Sequence, residues 1–418
     1  MTATLAASAA ILKTKYPNGE LPKVLYKNNP AWALLKKSND FDGANEVVAL
    51  QTDATQGASA NFTRAQTNIA QSVYNQFLLT RIEDFSVARI TGQALRAARK
   101  NTGALVDLWT NEIDSATHQA MRSLAISMFR NGTGVRGQIS SGSNVATATI
   151  TLAQPSDITN FAVGMVLRSS QYNATTSSNS TFDGLRTGRV TISAIDRAAG
   201  TLTTAGGNWG TQFTSGAASD YLIRDGDEPT SDTGCVVVSG IQQWIEGGTS
   251  PAALFGLTRT SDPVRYAGQA YNATGVPMEE AIIEACARVV VEGGRPDKVF
   301  VHPRDKATLV KSLGSKVIYS RVESDVAGIG FGSIKVEADS GPVDVIGDMN
   351  VPRNEAVVTQ WDTWEFRSLG PAPHILDYDS NQFLRTGSAD SYEVRIGTYG
   401  NLKCTAPAYN IRVTNFGA

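Results

Sequence analysis

Hydrophobic positions recur most regularly between residues 91 and 130. Leu95, Ala98, Leu105, Trp109, Ile113, Ala116, Ala120, Leu124 and Met128 fall at helical spacing, and Arg96, Arg99, Lys100, Asp107, Asn111, Asp114 and Arg122 take the other face. Asn131-Gly132 supplies the stop, since both residue types accept the left-handed conformation that closes a helix. At ~1.5 Å per residue this pattern predicts a helix of roughly 60 Å, far beyond the usual three turns or so. A heptad coiled coil is the alternative, but the apolar stripe wanders and Gly92 and Gly103 interrupt it.

On either side the pattern changes period. EVVAL (46–50) and SVYNQFLLTRI (72–82) are rich in β-branched and aromatic residues and read as two strands. The polar stretch between them has the composition of a mobile tip. A two-stranded excursion is marginal in water by itself, so this one is expected to lie on a neighbour. Ahead of it, residues 1–42 read as an arm. A short helix is possible at 3–14; Pro17, Gly19, Pro22 and Pro30 then keep the chain extended, and NPAWALLKK (29–37) forms an apolar plug around Trp32, Leu34 and Leu35.

Residues 138–229 lack lysine and are dominated by Ser, Thr, Gly and Asn. Short strands are expected at 146–152, 162–169, 188–196, 200–204 and 220–227, the signature of a small all-β module, a barrel or a sandwich. Mixed structure follows. A strand is expected at 235–239, then a helix opening at Pro277 whose stripe is Met278, Ile282, Ala285, Cys286 and Val289, ended by Gly293-Gly294. KVFVH (298–302) reads as a buried strand, and Pro303 opens another helix. Strands and loops, with AGIGFGS (327–333) as a flexible loop, fill 316–385, and two long strands close the chain at 391–400 and 408–416. The class is α+β.

Composition narrows the function. The 418 residues are 41% hydrophobic and 18% charged, with a formal net charge of −2. A chain that wraps nucleic acid should be basic, because its affinity comes from neutralising phosphates. Lysines crowd the first 37 residues (Lys13, Lys15, Lys23, Lys27, Lys36, Lys37), and from 38 to 297 only Lys100 appears. That basic start is either a solvated terminus or a contact for DNA or an acidic partner face. The start has no positively charged leader region, so no signal peptide is expected, and no apolar run is long enough to span a membrane.

Candidate chemistry is thin. Cys235, Cys286 and Cys404 fit no redox or metal spacing. His118, His302 and His374 sit on different elements without metal-spaced partners, and His302 in HPRDK reads as local architecture. The glycines of 328–332 precede a strand rather than a helix, which is wrong for a phosphate loop. Asp377, Asp379 and Asn381 share a calcium-loop spacing, but Gln382 and Ser388 stand where glycine and glutamate are needed. No enzyme reading, cofactor or metal emerges.

The order of elements carries more than any motif. A basic arm, a long β-loop and a very long helix ending in FRNGTG (129–134) come first. VSGIQQWIEGG (238–248), the stretch from FGLTRT to KSLG (255–314) and the tail at 389–416 follow. Over about four-fifths of its length the chain resembles tailed-bacteriophage major capsid proteins of the Hong Kong 97 type. The resemblance implies an N-terminal arm (1–42), an extended loop (43–80), a peripheral domain (81–137, 230–296 and 386–418) with the long helix as its spine, and an axial domain (297–385). It makes 138–229 an inserted all-β domain. It also implies hexamers and pentamers in an icosahedral shell, a portal protein, a separate scaffolding protein or none, and a decoration protein as a further partner. Packaged double-stranded DNA would touch the inner wall weakly, in a virion assembled in the host cytoplasm. Inter-subunit contacts are expected from Trp32, Leu34, Val47, Val48, Leu50, Tyr74, Phe77 and Leu79. Some members of the family crosslink through a lysine of the extended loop; residues 43–80 contain none, so no crosslink is expected. An encapsulin-type compartment is the alternative on the same fold. A secreted adhesin and a hydrolase are the readings outside it.

Overall fold

The computed structural model describes residues 2–3, 29–93, 96, 108–173, 184–229, 235–313, 318–323, 330–377, 384–387 and 389–417. Among these residues the strands form two seven-stranded sheets, a six-stranded sheet and a two-stranded hairpin. The architecture is mixed helix and strand, as the sequence pattern implies.

One sheet is organised around the strand Ser391–Cys404. It pairs antiparallel with Ile82–Thr91 without a register break from Ser391↔Thr91 to Gly400↔Ile82. Its opposite edge takes Trp364–Ser368, His374–Ile375 and Leu384–Arg385. Lys36–Ser38 of the arm then adds in parallel to Trp364–Ser368. The run expected as one strand at 72–82 is two, Val73–Thr80 and Ile82–Thr91, because the chain leaves the hairpin for this sheet at Arg81.

The other seven-stranded sheet runs in the order Gln269–Asn272, Asn410–Thr414, Glu355–Thr359, Lys298–Val301, Gly341–Gly347, Gly330–Ala338, Ile318–Glu323. The helix Met278–Val291 packs Met278, Ala281, Ile282, Ala285, Cys286 and Val289 into its core, the face the apolar stripe foretold. Gly330, Phe331 and Gly332 open a strand and pair with Glu323, Val322 and Arg321, so that part of the expected loop is sheet.

The six-stranded sheet, residues 135–224, closes on itself. Its order is Val135–Gln138, Tyr221–Arg224, Val166–Ser170, Val190–Asp196, Thr201–Thr204, Thr149–Thr151. The last strand returns to the first through Ser140 N–H to Thr151 O (2.9 Å) and Ala153 N–H to Gln138 O (2.8 Å). Closure leaves no strand edge free. Ile139, Ile150, Leu152, Phe161, Leu167 and Trp209 belong to a buried cluster of its own. The first strand, Val135–Gln138, was not foreseen; its residues are short of apolar alternation.

Of the long helix, the described part is Leu108–Ser127, about 30 Å. Residues 92, 93 and 96 are also helical, and 97–107 lie outside the described residues. The expected stop holds one turn early: Ile241 N–H donates to Met128 O at 2.7 Å and satisfies a terminal carbonyl. Gly240 permits this approach, since a Cβ there would stand 2.3 Å from the carbonyls of Ser127 and Arg130. The strand expected at 235–239 is absent for the same reason. Ser239 N–H goes to Asn401 Oδ1 (2.9 Å) and Ile241 N–H to the helix end, leaving no ladder to join. The helix expected at 3–14 falls outside the described residues, apart from the strand Thr2–Ala3, and so do residues 378–383 of the calcium-like spacing.

Candidate assembly surfaces

The arm is anchored by a five-residue helix, Pro30–Leu34, with proline in the first turn where no N–H is needed. Trp32 inserts edge-on against Phe366, with ring centroids 4.9 Å apart. Trp361 Nε1–H donates to Leu34 O at 3.0 Å. Asp348 caps the little helix from across the sequence, accepting Ala31 N–H at 3.1 Å. Asn350 ties this point to the long helix, donating to Asn29 Oδ1 (3.1 Å) and accepting from Arg122 Nη1 (2.6 Å). Burial pushes the Asp348 carboxyl up to about 6.

The hairpin pairs Asn45–Asp53 with Val73–Thr80, and alternation gives it two unlike faces. Val48, Phe77 and Leu79 turn inward and are buried. Phe77 meets Trp244 edge-on at 5.0 Å, and Trp244 in turn meets Phe255 at 5.5 Å. The segment carrying those two aromatics, a short helix Ile241–Trp244 and the loop after it, is held by Arg259, 1% exposed, which donates to Ala252 O (2.6 Å) and Gln243 O (2.9 Å) and pairs with Glu246. Further out, Arg265 pairs with Asp53 at 2.7 Å, and Thr52 and Asn75 both reach the Tyr266 hydroxyl. Glu46 at the base pairs with Lys403 at 2.7 Å.

The eight residues expected between subunits therefore separate. Trp32, Val48, Phe77 and Leu79 are buried in this chain's own core, and Leu34 and Leu50 are partly buried against it. These six have apolar partners within this chain. Val47 and Tyr74 remain outside, 53% and 68% exposed. Leu78, opposite Val47 in register, extends the same face. At the tip, Phe62 on the short helix Phe62–Thr67 and Ile69 are 76% and 70% exposed. Sequence reasoning passed over both; their signal was two apolar residues standing alone in a polar stretch. Phe85 and Val87 add a smaller exposed pair on the sheet built around Ser391–Cys404.

The barrel docks on the rest through ion pairs. Arg130 at the end of the long helix meets Asp157 (2.8 Å) and Arg224 meets Asp84 of the neighbouring sheet (3.0 Å), while Arg136 meets Asp227 (3.3 Å) at the barrel's own edge. These groups are mostly buried, so removing one partner strands a charge.

His302, Cys286 and Cys404, singled out in the sequence, sit in structural surroundings. His302 accepts Arg304 N–H through Nδ1 at 3.2 Å at the start of the Pro303–Leu313 helix, and burial holds its pKa down at about 4. Asp305 beside it binds Arg353 and Asn354 N–H. Burial pushes the Cys286 and Cys404 thiols up to about 12, away from the thiolate form. Among the described residues no three His, Cys, Asp or Glu side chains gather as a metal site.

Residues 222–417 match the family described as SU10 major capsid protein. No curated protein matches the sequence. Among solved structures, the chain is similar to a chain of the cyanophage A-1(L) capsid asymmetric unit, with a TM-score of 0.54 at 8% identity over 97% of each chain. It is also similar to the SrpI encapsulin from Synechococcus elongatus (TM-score 0.47, 9% identity, 99% of this chain and 95% of that one). A Mycobacterium phage Bobi chain gives 0.45 at 8% identity over the whole of both chains. At such identities a likeness is one of fold alone, and the A-1(L) capsid chain, above 0.5, shows it.

Proposed function

We infer that this chain is the major capsid protein of a tailed bacteriophage, built on the Hong Kong 97-type fold. The observation that carries the reading is the match of residues 222–417 to a major capsid protein family, in a chain whose fold is that of a phage capsid subunit. The division implied by the sequence resemblance is proposed with it: arm 1–42, extended loop 43–80, peripheral domain 81–137, 230–296 and 386–418, axial domain 297–385, insertion 138–229. The closed barrel with its own core supports the last of these, with a start nearer residue 135.

The mechanism is association. The hairpin presents Val47, Tyr74 and Leu78 on one face and Phe62 and Ile69 at its tip. Copies joined head to tail through such a face close into rings when the rotation permits, and obligate interfaces of this kind exceed about 2,000 Å². Pentamers and hexamers of one chain would then enclose the shell, with portal, scaffolding and decoration proteins as separate partners and packaged DNA held weakly inside. The virion is the place of action, after assembly in the host cytoplasm, and no turnover is proposed.

Electron microscopy of the purified recombinant chain tests this. Icosahedral shells, or free pentamers and hexamers, are the expected result. A monomer under all assembly conditions would overturn it. In particles from infected cells, DNA content supports the phage reading and protein cargo would replace it with the encapsulin one.

A further inference from the structure

A cleft of ≈ 170 Å³ separates the long helix from the barrel. His118, Gln119 and Arg122 line it from the helix, Arg136 and Arg197 from the barrel, and Phe161 lies among its apolar residues. Three arginines and a histidine are thus in the wall, and no carboxylate is. Arg122 and Arg136 are 7% and 3% exposed, and both are fixed in place. Arg122 donates to Asn350 Oδ1 (2.6 Å) and Thr159 O (3.3 Å); Arg136 donates to Ser123 Oγ (3.0 Å) and Asp227 (3.3 Å). Arg197, exposed, reaches Ile158 O at 3.4 Å. Asp227 and Asp348 offset part of this charge, but from outside the lining.

Guanidinium groups held still in a partly enclosed, acid-free space concentrate positive potential there, and their fork geometry suits oxyanions. The volume is well below the ~300 Å³ at which pockets begin to take drug-sized ligands, so one or two phosphate groups fit and a whole nucleotide does not. We propose that this cleft binds a phosphate-class oxyanion, inorganic or carried on a nucleic-acid backbone, with Arg122, Arg136 and Arg197 as donors. The inference does not rest on the shell reading and fails or stands separately from it.

The test uses the purified full-length chain, with inorganic diphosphate and a short single-stranded DNA oligonucleotide as probes. Arg122 and Arg136 are left alone, because their substitution would disturb the fold. Arg197→Glu and Gln119→Glu place an acid in the cleft, and Arg189→Glu makes the same charge change as Arg197→Glu at an exposed barrel site paired to Asp225. Diphosphate should raise the melting temperature of the wild type beyond chloride at equal ionic strength. Its affinity should fall about tenfold or more in both cleft variants and stay unchanged in Arg189→Glu. Competition between diphosphate and the oligonucleotide would mark nucleic acid as a source of the phosphate; binding of diphosphate alone would mark a free anion. No protection beyond chloride, or an equal loss in Arg189→Glu, would overturn the proposal.

Discussion

Asp348 is wholly inside the chain and accepts the Ala31 N–H, so a carboxylate far along the sequence caps the arm's short helix. Its folded pKa of about 6 lies above the ordinary 3.8 because burial penalises the charge. The folded state therefore holds that proton more tightly than the unfolded one. The stability this contributes is complete below about 3.8 and is lost as pH rises through about 6. His302 works the other way: held near 4 against an ordinary 6.5, its contribution is present above 6.5 and lost as pH falls through 4. Between those values the two oppose each other. Asp348→Asn, which keeps an oxygen for Ala31, should remove one limb. The variant's denaturation midpoint should gain on the wild type at pH 7.5 and lose that gain at pH 4.5. An offset that does not change with pH would show that Asp348 does not titrate in this window. Nothing in the sequence near Asp348 announced the role. The cap joins residues more than 300 apart, and only the fold brings them together.

At the scale of elements, the hairpin was legible from β-branched and aromatic runs, and so was its antiparallel pairing. Which of its faces serves the chain itself was not, because that depends on Trp244 and Phe255 arriving beneath it from a four-residue helix and the irregular stretch after it. The two faces should behave differently under mutation. Phe77→Ala removes a fully buried ring and should cost about 3–5 kcal/mol of subunit stability, read from chemical denaturation of unassembled protein. Val47→Ser with Tyr74→Ser should change that stability by no more than about 0.5 kcal/mol, as exposed sites do, while shell yield falls sharply in sedimentation. Equal yields from wild type and double variant would remove this face from assembly. The barrel gives a parallel lesson. Its turns and short strands were readable, its closure was not, since closure is made by hydrogen bonds between residues 138–140 and 151–153 rather than by any composition.

At the scale of the molecule, the shell reading has a covalent consequence. Residues 43–80 contain no lysine, so the loop cannot supply the amine for an isopeptide bond to a neighbour. Mature particles boiled in denaturant should run as one band at the monomer position, and a ladder of covalent oligomers would contradict this. A shell without such bonds would be held by non-covalent contacts, and its stability should then depend on subunit concentration, as association requires.

The sequence by itself determined the parts: a long amphipathic helix, a β-loop, a small-residue β module, and a helix whose stripe from Met278 to Val289 names its buried face. Those are local properties, fixed by periodicity over a few turns or strands. The tertiary structure alone decided where each part goes. It placed Trp32, Val48, Phe77 and Leu79 in this chain's own core, closed the barrel, and set Arg122, Arg136 and Arg197 around one cleft. The physical reason is range. Hydrophobic spacing is written between neighbours in sequence, whereas burial, capping and charge placement depend on residues that meet only after the chain has folded.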